Sequence, residues 1–179
     1  MKKTLILLIT ILTSILLASL IGVLNNQITY IISPEFFSKS LFPQFGFVEY
    51  GLNTPKTTAA IIGVWSTWWM GLLIGIVIGF TSLIHISSSM MKKEIKKSLF
   101  IIISSVILFG ILGYVFGQIY LQDNLITFGF EGTQEQLKDY LIAGFIHDFE
   151  YLGGILGLVI AVYVQIKSKR QISHPHQTP

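Results

Sequence analysis

The run SLFIIISSVILFGILGYVFGQIYL, residues 98–121, decides the fold class: it holds no Asp, Glu, Lys or Arg. A helix needs roughly 20 apolar residues to cross about 30 Å of hydrocarbon. Outward from this run, residues 4–24 and 58–84 are charge-free stretches of the same kind. A fourth stretch, 151–166, reaches spanning length when it is entered through His147 and Asp148. Four spans are therefore predicted, at about 4–24, 58–84, 98–121 and 147–166. The chain of 179 residues is 52% apolar and only 12% charged, too few charges for an ordinary water-facing surface. It reads as a single all-α domain, a four-transmembrane-helix bundle.

The basic residues give the orientation. Lys2, Lys3, Lys92, Lys93, Lys96, Lys97, Lys167, Lys169 and Arg170 flank the spans on one side, and only Lys39, Lys56 and Lys138 lie on the other. This asymmetry places both termini and a loop at about 85–97 in the cytoplasm, and loops at about 25–57 and 122–146 outside. The net charge of +3 is thus a topology signal, and nucleic acid is not an expected partner. The apolar run after the Lys2-Lys3 start is longer than the usual 7–15 residues of a signal peptide and lacks a small-x-small cleavage site, so a retained first helix is expected. The absence of cysteine removes disulfide, thiol-redox, iron–sulfur and Cys-zinc chemistry. A bacterial plasma (inner) membrane is the expected setting, with the lipid bilayer as the first partner.

Between the first two spans lies an aromatic loop with Tyr30, Phe36, Phe37, Phe42, Phe45, Phe47 and Tyr50. Such a segment must pack on the helix ends or lie in the interface, forming an extracytoplasmic head. The first helix is expected to end at Asn25-Asn26-Gln27. Ser33-Pro34-Glu35 reads as a helix start, with Ser as N-cap, Pro at the first position and an acid favoured by the dipole, and Pro43 as its end. Thr133 and Gln136 match a capping box, so the last helix should begin near Gln134, extend outward beyond the bilayer and run to about Ser168. The tail at about 168–179, with His174 and His176, is expected to be disordered. Trp65, Trp68 and Trp69 read as an interfacial anchor, which puts residues 58–64 above the membrane. His85, at the cytoplasmic end of the second span, reads as a solvated interface residue. Gly71, Gly75 and Gly79, Gly113 and Gly117, and Gly153 and Gly157 recur every four residues, which suits close backbone approach in lipid. The same spacing would also line a groove for a lipid or quinone tail.

Candidate chemistry concentrates in His147-Asp148-Phe149-Glu150-Tyr151. Leu137, Tyr140, Leu141, Gly144 and Phe145 make an apolar stripe at helical spacing, and Asp148 returns to within about 20° of it. On this reading Asp148 points inward, His147 flanks the stripe and Glu150 points more outward. Glu35, folded back over the bundle mouth, would join His147 and Asp148. A hydrogen-bonded structural network, a ligand or metal site, and proton chemistry all stay open for this cluster. No ionisable side chain occupies the middle of any span, which disfavours a proton pump or ion-coupled carrier.

Three phrases together carry a resemblance: ITYIISPEFF at 28–37 with FPQF at 42–45, WSTWWMG at 65–71, and HDFEYLGG at 147–154. The chain resembles a family of small four-helix bacterial integral membrane proteins with no known activity. The resemblance implies a shared fold and a shared outer face, and nothing about catalysis. The leading functional expectation is an accessory or binding protein that engages a protein partner or small ligand through its outer face. The alternative is a membrane-embedded enzyme, with or without a metal, using Glu35, His147 and Asp148; no cofactor is specified.

Overall fold

The computed structural model describes residues 2–123 and 129–173, and these are all-helical without strands. In chain order the elements are α1 (Lys3–Ile32), α2 (Pro34–Phe36), a π-helical turn (Phe37–Leu41), α3 (Phe42–Phe45), α4 (Val48–Asn53), α5 (Pro55–Ser82), α6 (Ser88–Asp123) and α7 (Gln134–Ser173). The long helices α1, α5, α6 and α7 each hold a segment long and apolar enough to cross a membrane. They run up and down in turn. The start of α1, the described end of α7 and the 83–87 connector share one end, the termini end; the aromatic segment lies at the other, the loop end.

The bundle is two helix pairs. Within α1–α5 the backbones meet at glycines: a Cβ on Gly63 would lie 2.5 Å from the Gly22 carbonyl oxygen, and one on Gly71 2.6 Å from that of Ser14. Gly75 lies against Ile11 and Gly79 against Leu7. Within α6–α7 the same role falls to Gly113 against Phe145, Gly117 against Ile142, Gly153 against Ser105 and Gly157 against Ile102. Ile74 and Ile78 of α5 meet Ile102 of α6 and Ala161 of α7 where the two pairs join. Bulky side chains such as Leu12, Leu16, Leu20, Ile107, Ile111 and Val159 face outward.

Several helices pass the ends expected for them. α1 continues through Asn25-Asn26-Gln27 to Ile32 because tertiary bonds absorb the polar side chains: Asn26 Nδ2 donates to the Ala59 carbonyl at 2.9 Å, and Gln27 Nε2 to that of Lys56 at 3.0 Å. α6 starts at Ser88, so the lysine-rich 92–97 stretch is helix rather than loop. α7 runs to Ser173, which makes 168–173 helical; residues 174–179, with His174 and His176, lie outside the described residues. The capping box is formed in both directions: Gln136 N–H donates to Thr133 Oγ1 at 3.1 Å, and Thr133 N–H to Gln136 Oε1 at 2.9 Å. Ser33 caps α2 by accepting from the Phe36 N–H at 3.1 Å. Pro43 does not end that helical stretch. The turn over Phe37–Leu41 widens, with the Phe42 N–H reaching back to the Phe37 carbonyl. A proline ring clashes with the carbonyl four residues earlier in a regular helix, and the widened turn relieves this. The stretch stops instead at Gly46, whose φ of 73° suits a residue without Cβ.

The aromatic segment folds onto the ends of α1 and α5. Phe37 (0% exposed) and Phe42 pack with Ala59 and Ile62, flanked by Tyr30, Phe36 and Phe45. Glycine contact makes the first prediction. Gly63→Ala should destabilise the chain by about 1–3 kcal/mol through overpacking. Gly144→Ala, whose nearest neighbour would be 3.7 Å away, should be neutral or stabilising by up to about 1 kcal/mol. Thermal unfolding in detergent reads both; an unchanged midpoint for Gly63→Ala would mean the backbones do not touch there.

Candidate functional site

The inward face of α7 is not the one expected. Asp148 is exposed, and the buried positions described along the helix are Leu137, Ile142, Ala143, Ile146, Gly153, Gly154, Gly157, Ala161 and Gln165. Glu150, expected to point outward, faces the interior: its carboxyl lies over Gly110 of α6, where an added Cβ would meet Oε1 at 2.9 Å. Of the stripe Leu137, Tyr140, Leu141, Gly144 and Phe145, only Leu137 is fully buried, and Phe145 packs against Gly113 and Gly117 of α6. The hidden face follows the small residues Ala143, Gly153, Gly154, Gly157 and Ala161, which let partner helices approach, so the stripe was a poor guide to where Asp148 points.

Between the two helix pairs lies a cavity of about 90 Å³. Its polar end is set by Asn25 and Asn26 of α1, Ser66 and Thr67 of α5, and His147, Glu150 and Tyr151 of α7; Leu17, Met70, Ile74, Leu99, Ile103 and Val106 are among its apolar walls. Most of the polar groups are bonded to the protein. His147 Nδ1 lies 2.8 Å from the Ala143 carbonyl oxygen and Nε2 lies 3.1 Å from Asn26 Oδ1. Tyr151 donates its hydroxyl hydrogen to the Ser66 carbonyl at 3.0 Å, and Thr67 Oγ1 donates to the carbonyls of Ala18 and Gly63. Trp69 stacks on Tyr151 with ring centroids 6.3 Å apart, and Trp65, Trp68 and Trp69 are all exposed.

Glu35 and Asp148 are not part of this cavity. Glu35 Oε1 accepts from Gln136 Nε2 at 2.8 Å and so ties the aromatic segment to the start of α7. Phe36 packs its ring against those of His147 and Tyr140, with centroids 5.1 Å and 5.5 Å away. Among the described residues no three His, Asp or Glu side chains come together as a metal site. The set Glu35, His147 and Asp148 is therefore dispersed. The sequence places the segment 25–27 at the level of His147, with Asn25 as a candidate partner for Asp148, but Ser14 was missed, although Thr10, Ser14, Gly22, Asn25, Asn26 and Thr29 of α1 are all buried and recur at helical spacing. That stripe of small and polar residues was the available signal.

A second polar cluster lies at the termini end. His85, read as solvated, is 1% exposed, and neither ring nitrogen has a hydrogen-bond partner among the described residues. Nearby, Glu94 accepts from Ser168 Oγ at 3.0 Å, Gln165 Nε2 donates to Ser98 Oγ at 2.8 Å, and Lys3 donates to the His85 carbonyl at 2.6 Å. Burial holds His85 below the ordinary imidazole value of 6.5; Glu94 opposes this, and Lys169 and Lys3 reinforce it. Comparison with known protein families, curated proteins and solved structures finds no match for the chain.

The pH consequence follows from linkage. The unfolded chain takes up the His85 proton before the folded one, so this contribution to stability is complete above about pH 6.5 and is lost as pH falls through that value. Unfolding midpoints in detergent should therefore drop between pH 7.5 and 5, and His85→Leu should reduce that drop. An equal drop in the variant would assign it to another group.

Proposed function

We propose that the chain is a multi-pass membrane protein that holds a small membrane-soluble ligand in the seam between its helix pairs. We further infer that it lies in a bacterial plasma membrane with both termini cytoplasmic and the loop end extracytoplasmic, which the lysine asymmetry supports. The observation that carries the binding reading is the cavity itself, apolar along its walls and polar at one end. Ligand sites commonly pair apolar walls with a few placed polar groups, and helix bundles build them between helices. The aromatic segment touches the polar end through the contact of Phe36 with His147, which supports a link between the loop end and this site. Among the described residues, an enzyme would have to work with Glu150 as the one carboxyl group lining the cavity, without a metal-binding group of residues beside it.

Two experiments test this. Full-length protein purified in mild detergent should carry a bound small molecule, seen as an added mass in native mass spectrometry. Gly154 lines the cavity and has Val106 as its nearest neighbour, 3.7 Å from an added Cβ, so Gly154→Leu should fill the cavity and expel the ligand while the chain still folds. Retention of the same mass by a folded Gly154→Leu protein would place the ligand elsewhere. For topology, reporters fused after Lys97 and Pro179 should read cytoplasmic and one inserted at Asn53 external; an internal signal at Asn53 would overturn the orientation.

A further inference from the structure

We infer that the first turns of α6 form a docking face for an anionic phospholipid of the surrounding leaflet. This rests on the membrane placement above and is independent of the cavity. Lys92, Lys93, Lys96 and Lys97 were expected on a loop; they stand instead on the helix that continues into the third apolar segment. At 100° per residue the four fall within an arc of about 140°, and all are exposed. None has a hydrogen bond or ion pair among the described residues. Glu94, the one acid of the chain at the termini end, does not neutralise them: it is 7% exposed, turned inward, and accepts from Ser168. Lys92 with Lys96 and Lys93 with Lys97 are therefore like-charged pairs four residues apart, which disfavours the helix that carries them. An anion on this face relieves that repulsion.

Depth and shape identify the anion as a lipid. From Lys92 to Lys97 is about 7.5 Å along the helix axis, and the headgroup layer is roughly 5–7 Å deep on each side of the hydrocarbon. The charge-free run begins at the next residue, Ser98, which puts the four ammonium groups at headgroup level. Below them the same face continues as an apolar stripe. Phe100 (72% exposed), Ser104, Ile107 and Ile111 fall inside the arc of the lysines, and all are exposed. Phe100 to Ile111 covers about 16 Å, close to half of the roughly 30 Å hydrocarbon layer. A phosphate held by the lysines thus leaves its acyl chains lying along the stripe to the middle of the bilayer. Lys167 and Lys169 of α7 extend the basic surface at the same depth: both are exposed, on either side of the Ser168 that meets Glu94. The loop end offers nothing equivalent, since Lys39 there is engaged by the Glu131 carbonyl and the Phe130 ring. Clusters of four or more basic residues beside a span attract anionic headgroups, each lysine adding to the affinity.

The test is native mass spectrometry of the full chain in detergent, titrated with phosphatidylglycerol or with phosphatidylcholine of the same acyl chains. Phosphatidylglycerol should bind at least about tenfold more tightly. Replacing the four together, Lys92→Gln, Lys93→Gln, Lys96→Gln and Lys97→Gln, should abolish the difference. Lys56→Gln with Lys138→Gln, at the loop end, should keep it. Equal binding of the two lipids to the wild type would overturn the docking face. So would a preference that survives the fourfold change, or one that the loop-end pair removes. Should the fourfold variant not fold, Lys96→Gln with Lys97→Gln should still lower the preference by at least about threefold, and an unchanged preference there counts equally against the proposal. None of these results bears on the cavity, which Gly154→Leu reads, or on the membrane placement, which the reporter fusions read.

Discussion

The contact of bare backbone at Gly22 and Gly63, and its repetition along both helix pairs, is the constraint on which the architecture depends. Lipid chains are as apolar as leucine, so α1 and α5 gain nothing by turning Leu12 or Leu16 toward one another. They gain from dispersion and hydrogen bonding where the backbones come close, and only residues without bulk allow that. The branched side chains are left to the outside. Each pair is thereby closed along most of its length, while the seam between pairs has fewer such contacts and leaves room for the cavity.

The polar chemistry follows the same partition. A side chain such as Asn26 cannot face hydrocarbon cheaply, so it faces the seam, where it meets Ala59 and His147 across three helices. His85, Glu94, Ser98 and Gln165 gather at the other end for the same reason. The two clusters are separated by the apolar contact of Ile74, Ile78, Ile102 and Ala161. One is tied to the aromatic segment through Phe36, the other to the N-terminus through Lys3.

What could be read from the sequence was what depends on local physics. Charge-free length located the four long helices, and the reciprocal bonds of Thr133 with Gln136 and the Ser33 cap follow from neighbouring residues alone. The end of α1 could not be read that way, because Asn25 and Asn26 resemble a loop until Ala59 and His147 are brought to them. The widened turn before Pro43 likewise depends on Phe37 and Phe42 finding their places against Ala59 and Ile62. The site was half legible: His147, Glu150 and Tyr151 were named, but Asp148 was turned inward in place of Glu150. The error is one of helical phase: Asp148 lies eleven residues on from the buried Leu137, but the hidden face passes through Ile146 and Gly153 instead. Here the small and polar residues of α1, from Thr10 to Thr29, mark the hidden face, and the same rule applied to α7 selects Ala143, His147, Glu150 and Gly154.

Separation into pairs also orders events in time. Every contact between α1 and α5 lies within the part of the chain that ends at Ser82, whereas the partner of Asn26 Oδ1 is His147, 121 residues later. At about 5–20 residues per second of synthesis, on the order of ten seconds separates the two. For that interval the first hairpin can hold the Nδ2 of Asn26 on Ala59, but its Oδ1 stays without a partner until α7 arrives.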